Sequence, residues 1–134
     1  MSRLIRLDPL GDDERRQWPR YLVPAEEPIV AGVALTDSDG RPRTLTGRVR
    51  DVSEAGLLLS LPTDESCAEF SERGRTLAVV LTLPSGVITL RARVAHCTAP
   101  DGRPGGGGYV VGVSIIEIRE GDQDRLVEYI GERS

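Results

Sequence analysis

Leu77-Ala78-Val79-Val80-Leu81-Thr82-Leu83-Pro84-Ser85-Gly86-Val87-Ile88-Thr89-Leu90-Arg91-Ala92-Arg93-Val94-Ala95-His96-Cys97 holds two strand-like runs separated by turn formers. Apolar residues on either side of Pro84-Ser85-Gly86 predict a hairpin of 77–83 with 87–97. Working outward, 109–118 predicts a following strand, reached through the glycine-rich stretch 101–108. Towards the N-terminus, 63–74 is polar with scattered apolar residues and reads as a loop or one helical turn. Before it, 57–61 is a short apolar run, 44–52 alternates polar with apolar, and 29–36 is apolar and β-branched. Asp37-Ser38-Asp39-Gly40 is the turn between the last two. After Gly121, Leu126, Val127 and Ile130 are expected on one helical face, with Asp122 as N-cap and Asp124 favouring the positive helix start. The fold class is therefore all-β with a terminal helix. A six-stranded antiparallel barrel with the helix packed on it leaves no open edge.

At 134 residues the chain fits one domain. Residues 1–13 are expected to form an extension outside the core, and 14–134 a single domain. Mean hydropathy is -0.22, and the longest apolar run, 29–35, contains a glycine and falls far short of the roughly 20 residues a membrane span needs. The start of the chain has no apolar signal core, so a cytoplasmic protein without membrane insertion is expected. Seventeen basic residues against 21 acidic ones give a net charge of -4, which argues against direct nucleic-acid binding. All the basic residues are arginine, whose planar fork of donors suits phosphate and guanine edges. Cys67 and Cys97 have no CxxC spacing and His96 is the one histidine, so neither a metal nor another cofactor is expected.

Two motifs carry chemistry. Arg15-Arg16-Gln17-Trp18-Pro19-Arg20 sets three guanidiniums on a loop punctuated by Pro19, Pro24 and Pro28. Such a cluster is either a solvated turn, balanced by Asp12, Asp13 and Glu14, or a site for an anion. Asp51-Val52-Ser53-Glu54-Ala55-Gly56 ends a predicted strand, with Asp51 and Ser53 two apart on one face. That segment is either a turn closed by side-chain oxygens, with glycine supplying a positive φ, or one wall of a binding site.

The order Arg16-x-x-x-Arg20, strands, Asp51-x-Ser53-x-x-Gly56, more strands and a terminal helix resembles the PilZ domain family, over roughly 14–133. The resemblance implies a cyclic di-GMP receptor. Arg16 and Arg20 match the two family arginines that contact phosphate and guanine, and Arg15 a frequent third. A guanidinium meets guanine N7 and O6 bidentately. Asp51 can accept from N1–H and N2–H2, Ser53 adds a hydroxyl, and Gly56 lets the backbone approach. The implied mechanism is a clamp in which the arginine loop closes on ligand against the Asp51 and Ser53 strand. Closure would move residues 1–13 and present a new surface to a protein partner.

Trp18 either stacks on guanine or anchors the loop on the barrel. Arg93 and His96 lie on a strand bordering the site in relatives, and His96 reads first as a partly buried strand residue. Arg48 and Arg50 alternate away from Asp51 and are expected to be surface charges. No helix start follows 105–108, so the phosphate-loop reading lacks its context. With no nucleophile elbow, an enzyme is not expected. The alternatives are a PilZ-like interaction module that binds no nucleotide, and a receptor for a related ligand such as cyclic GMP-AMP.

Overall fold

The structure, a computed structural model, describes residues 3–7, 21–24, 26–36, 39–61, 72, 74–98 and 109–133. Its elements are β1 (Leu4–Arg6), β2 (Tyr21–Leu22), β3 (Val30–Thr36), β4 (Pro42–Val52), β5 (Gly56–Leu61), β6 (Thr76–Leu83), β7 (Gly86–Thr98), β8 (Tyr109–Arg119) and α1 (Glu120–Arg133). Strands β8, β5, β4, β3, β6 and β7 pair in that order, and β7 pairs back to β8. This closes the six-stranded antiparallel barrel. Every second residue points inward: Ala31, Val33 and Leu35 on β3, Leu77, Val79, Leu81 and Leu83 on β6, and Ile88, Leu90, Ala92 and Val94 on β7 are all buried.

The hairpin of β6 and β7 is tighter than 84–86 suggests, because Gly86 already pairs with Leu83. Its φ of 143° is why a glycine stands there. β4 starts at Pro42, two residues before the alternation becomes visible.

The helix departs from expectation at both ends of its argument. It begins at Glu120, directly on the end of β8, so Asp122 lies inside the first turn and is not the N-cap. The Glu120 N–H, one of the donors a helix start leaves over, donates instead to the carbonyl of Arg3 (2.6 Å). Asp122 Oδ2 accepts the N–H of Thr89 on β7 (3.2 Å). The buried face is Leu126, Tyr129 and Ile130, while Val127 is exposed, since it stands about 100° round the helix from Leu126. Tyr129 meets Tyr21 of β2 edge to face, with ring centroids 5.6 Å apart.

Two short strands extend the sheet. β1 pairs with the end of β8 (Leu4↔Arg119, Ile5↔Ile118, Arg6↔Glu117), and the Leu7 N–H donates to Ile116 (2.8 Å). A strand thus forms within 1–13. β2 pairs with the end of β4, Tyr21 opposite Val52 and Leu22 opposite Asp51. Among the described residues, no helix is long and apolar enough to cross a membrane.

Candidate functional site

A single extra residue positions the site. Along β4, Arg48 pairs with Ser60 and Val49 with Leu59, but the next pair is Asp51 with Leu58, leaving Arg50 as a bulge. Strict alternation from the outward Arg48 would turn Asp51 into the core. The bulge returns it to the outer face, so Arg48 and Asp51 share a face rather than alternating apart. Both arginines are exposed, as expected of surface charges. They also border Asp51 in a groove of about 520 Å³ with Leu22, Val23, Pro24, Pro28 and Leu58.

The register carries this row across four strands. Asp51 stands opposite Leu58, Leu58 opposite Gly112, and Gly112 opposite His96. The parallel row runs from Gly56 through Ser114 to Arg93. Asp51, Ser53, Gly56, Leu58, His96 and Gly112 surround a small depression of about 20 Å³. That is room for one water molecule and not for a base, so a planar ligand has to lie across its mouth. The depression and the larger groove meet at Asp51 and Leu58.

Asp51 and Ser53 are 8% and 7% exposed. The Ser53 hydroxyl is taken up by its own turn. Its Oγ accepts the N–H groups of Ala55 (3.3 Å) and Gly56 (3.0 Å) and lies 3.3 Å from the Gly56 carbonyl, which also accepts the Ser53 N–H (2.9 Å). A hydroxyl has one proton and two lone pairs, and all three are used. Two-residue hairpin loops usually need positive φ, but none occurs at 53–56. The serine oxygen holds the turn instead. Turn closure is therefore the role of Ser53 on this geometry, and it sets the angle at which β4 delivers Asp51.

Gly56 does not supply a positive φ. An added Cβ would meet the Val113 carbonyl oxygen on β8 at 2.7 Å, so the glycine is there for close approach of β5 to β8. Gly112 has a different reason. A Cβ there would run into the His96 ring, with Cδ2 at 2.9 Å, so the imidazole lies across the bare backbone of β8. His96 is exposed and lines the depression, rather than being a partly buried strand residue. Arg93 is exposed one row away. Sequence reasoning missed Leu22, Arg48, Arg50, Leu58 and Gly112. Only the pairing of Gly112 with a histidine on the preceding strand offered a signal, and it requires the register to be known.

Arg15, Arg16, Trp18 and Arg20 lie outside the described residues, as does the glycine-rich 105–108. What the structure does fix is where that segment rejoins the barrel. Tyr21, the residue after Arg20, pairs with Val52, next to Asp51. Among the described residues no group of three or more His, Cys, Asp or Glu is placed to hold a metal ion.

A family model described as PilZ domain matches residues 14–132. No curated protein matches the sequence. Among solved structures, the fold is similar to the Bacillus subtilis inhibitor of motility MotI/DgrA (TM-score 0.65, 20% identity, 89% of this chain and 50% of that one). It is also similar to K. pneumonia MrkH in a complex with c-di-GMP (TM-score 0.66, 21% identity, 88% of this chain and 52% of that one). A third is the PilZ domain of YcgR from Escherichia coli, with c-di-GMP (TM-score 0.60, 19% identity, 89% and 91%). At these identities the likeness is one of fold, and the chain spans about half the length of the first two.

Proposed function

This chain belongs to the PilZ domain family, and we propose that it is a receptor for cyclic di-GMP that closes its arginine segment over the ligand against the outer face carrying Asp51. The observation that carries the reading is the pairing of Leu22 with Asp51 and Tyr21 with Val52. It ties the end of the arginine segment to the very strand that presents the carboxylate. By chain length alone, Arg20 is about 4 Å from the Tyr21 Cα and Arg16 within about 18 Å. Solved structures of similar fold hold c-di-GMP, MrkH and the PilZ domain of YcgR among them.

On this reading a guanine lies over the mouth of the small depression, with His96 on one side and Leu58 beneath. Asp51 accepts from its N1–H and N2–H2, which leaves O6 and N7 for a guanidinium of Arg16 or Arg20. The phosphates fall towards the larger groove, where Arg48 and Arg50 add to Arg15. Ser53 and Gly56 hold the wall in place, and Arg93 and Trp18 are outer contacts. Charge-assisted hydrogen bonds contribute roughly 1.5–3 kcal/mol each. Four or five of them reach micromolar affinity after the costs of association.

Titration calorimetry with cyclic di-GMP, cyclic di-AMP and cyclic GMP-AMP tests the proposal. Binding of the first, lost by at least ~100-fold in Arg16→Ala and in Asp51→Ala, is expected. Full affinity in both variants would sink the site. The output is expected to leave through β1 and α1, because β1 is bonded to β8 at the point where α1 begins. Ligand should then change amide exchange at residues 4–7. Unchanged exchange there would remove the N-terminal extension from the signalling route to a protein partner.

A further inference from the structure

The barrel has a second outer face, formed by β3, β6 and β7 on the side where every pair is in regular register. Its rows are Ala34–Ala78–Arg91, Gly32–Val80–Thr89 and Val30–Thr82–Val87. Val30, Val80 and Val87 are 44%, 39% and 55% exposed, which makes them half of the exposed large apolar residues among those described. The residues beside them, Gly32, Ala34, Ala78, Thr82 and Thr89, are small, so little rises above the valines. Above Gly32 an added Cβ would find nothing nearer than 3.9 Å. At one end the face opens into a groove flanked by Arg75 and Arg91. No carboxylate stands on these rows. Glu117, opposite Arg91 on β8, is paired with Arg6 at 3.7 Å.

A sheet face of small and β-branched residues is what a helix packs on. The molecule carries a matching helix stripe. Glu120, Asp124, Val127, Glu128 and Gly131 fall within one sector of α1, all of them exposed, with Val127 39% exposed among the carboxylates. The stripe from Glu120 to Glu128 is ~12 Å long at a helix's rise. The sheet face from the Arg91 row to the Val87 row is ~13 Å long. Charge, apolar content and length agree. The Thr89 N–H bound to Asp122 also joins the first turn of α1 to the β7 border of this face, so the two surfaces adjoin.

We propose that the β3–β6–β7 face binds the α1 stripe of a second copy of this chain, giving a twofold dimer in which each helix lies on the other copy's sheet. Adjoining complementary surfaces satisfy twofold symmetry with two reciprocal contacts, the commonest closed arrangement. The valines meet Val127, and the Arg75 and Arg91 groove takes Asp124 or Glu128. None of the residues of this pairing belongs to the proposed clamp, and its test needs no ligand.

Sedimentation velocity of the full chain over a range of concentrations is the test. The mass should rise towards twice that of the monomer, less so at high salt. Val80→Glu should raise the dissociation constant at least ~10-fold. The decisive arm is a charge exchange. Arg75→Glu with Arg91→Glu in one variant, and Asp124→Arg with Glu128→Arg in another, should each leave monomers. Mixed in equal amounts they should associate again, because both reciprocal contacts are restored. A chain that stays monomeric at every concentration overturns the proposal and leaves the face to a different protein. A dimer untouched by these substitutions, or a mixture that stays monomeric, overturns it equally. Matching far-ultraviolet circular dichroism of all variants keeps misfolding from being mistaken for the result.

Discussion

The two outer faces of this barrel are made by one set of strands, yet they differ in regularity as much as in composition. The register shifts among the barrel strands lie in strand pairs that the row from Asp51 to His96 crosses: one in β4 against β5, and two in β7 against β8. The pairings β3–β4, β3–β6 and β6–β7 run without a shift. Regular pairing keeps the outward side chains in even rows, a surface suited to another surface. Bulges tilt individual side chains, bury a carboxylate on an outer face and leave a depression beside it. On the proposed reading, the ligand site lies where the ladder is broken and the docking face where it is kept.

The glycines offer the sharpest way to break that comparison, because one substitution can be made on either side. Gly56→Ala should be the most damaging. Its Cβ would press on the Val113 carbonyl oxygen, a backbone atom that cannot move without opening β5 from β8. About 3 kcal/mol of stability should be lost, read from urea unfolding, and ligand affinity with it. Ser53→Ala comes next. It removes the acceptor for the N–H groups of Ala55 and Gly56 and should cost about 1–2 kcal/mol. Ser53→Thr should restore most of that, because it keeps the oxygen. If Ser53→Ala is as stable as the parent but fails to bind ligand, the serine is a ligand contact and not the brace of its turn.

These positions also show which parts of the molecule a sequence can disclose. The strands were legible because burial on one side writes an alternation into the residues, as in Ile88, Leu90, Ala92 and Val94 of β7. The family was legible because the order of the two motifs along the chain resembles it, and the PilZ domain model matches residues 14–132. The Arg50 bulge was not, since an extra residue in a strand leaves the composition unchanged and only shifts which face the later residues meet. Arg48 and Arg50 were set apart from Asp51 for that reason alone. The helix start was misjudged because β8 runs into α1 without a loop, and the donor of Glu120 is satisfied by the carbonyl of Arg3, just before β1 and 117 residues earlier in the chain, rather than by a local cap. His96 was underrated because its place depends on Gly112, a neighbour only through the register.

Gly112→Ala sharpens the comparison on the ligand side. The added Cβ would meet the far end of the His96 ring, which can swing away, so the fold should lose no more than about 1 kcal/mol. Ligand affinity should fall further than stability does, because the ring would no longer border the depression. An unchanged affinity, measured alongside His96→Ala, would strike His96 from the proposed site.

Gly32→Ala, on the regular face, should have the smallest effect and the opposite sign. Gly32 has no positive φ, and its nearest neighbours to an added Cβ are Val80 O at 3.9 Å and Val80 Cβ at 4.0 Å, ordinary contacts. The folded state therefore loses nothing, while the unfolded chain loses some of glycine's freedom. Stability should rise by about 0.5 kcal/mol. Ligand affinity should not change, since β3 contributes no residue to the depression around Asp51. A loss of stability, measured at concentrations where the chain is monomeric, would mean that the β3–β6–β7 ladder is strained, and the contrast between a broken ladder and a kept one would fail at its simplest point.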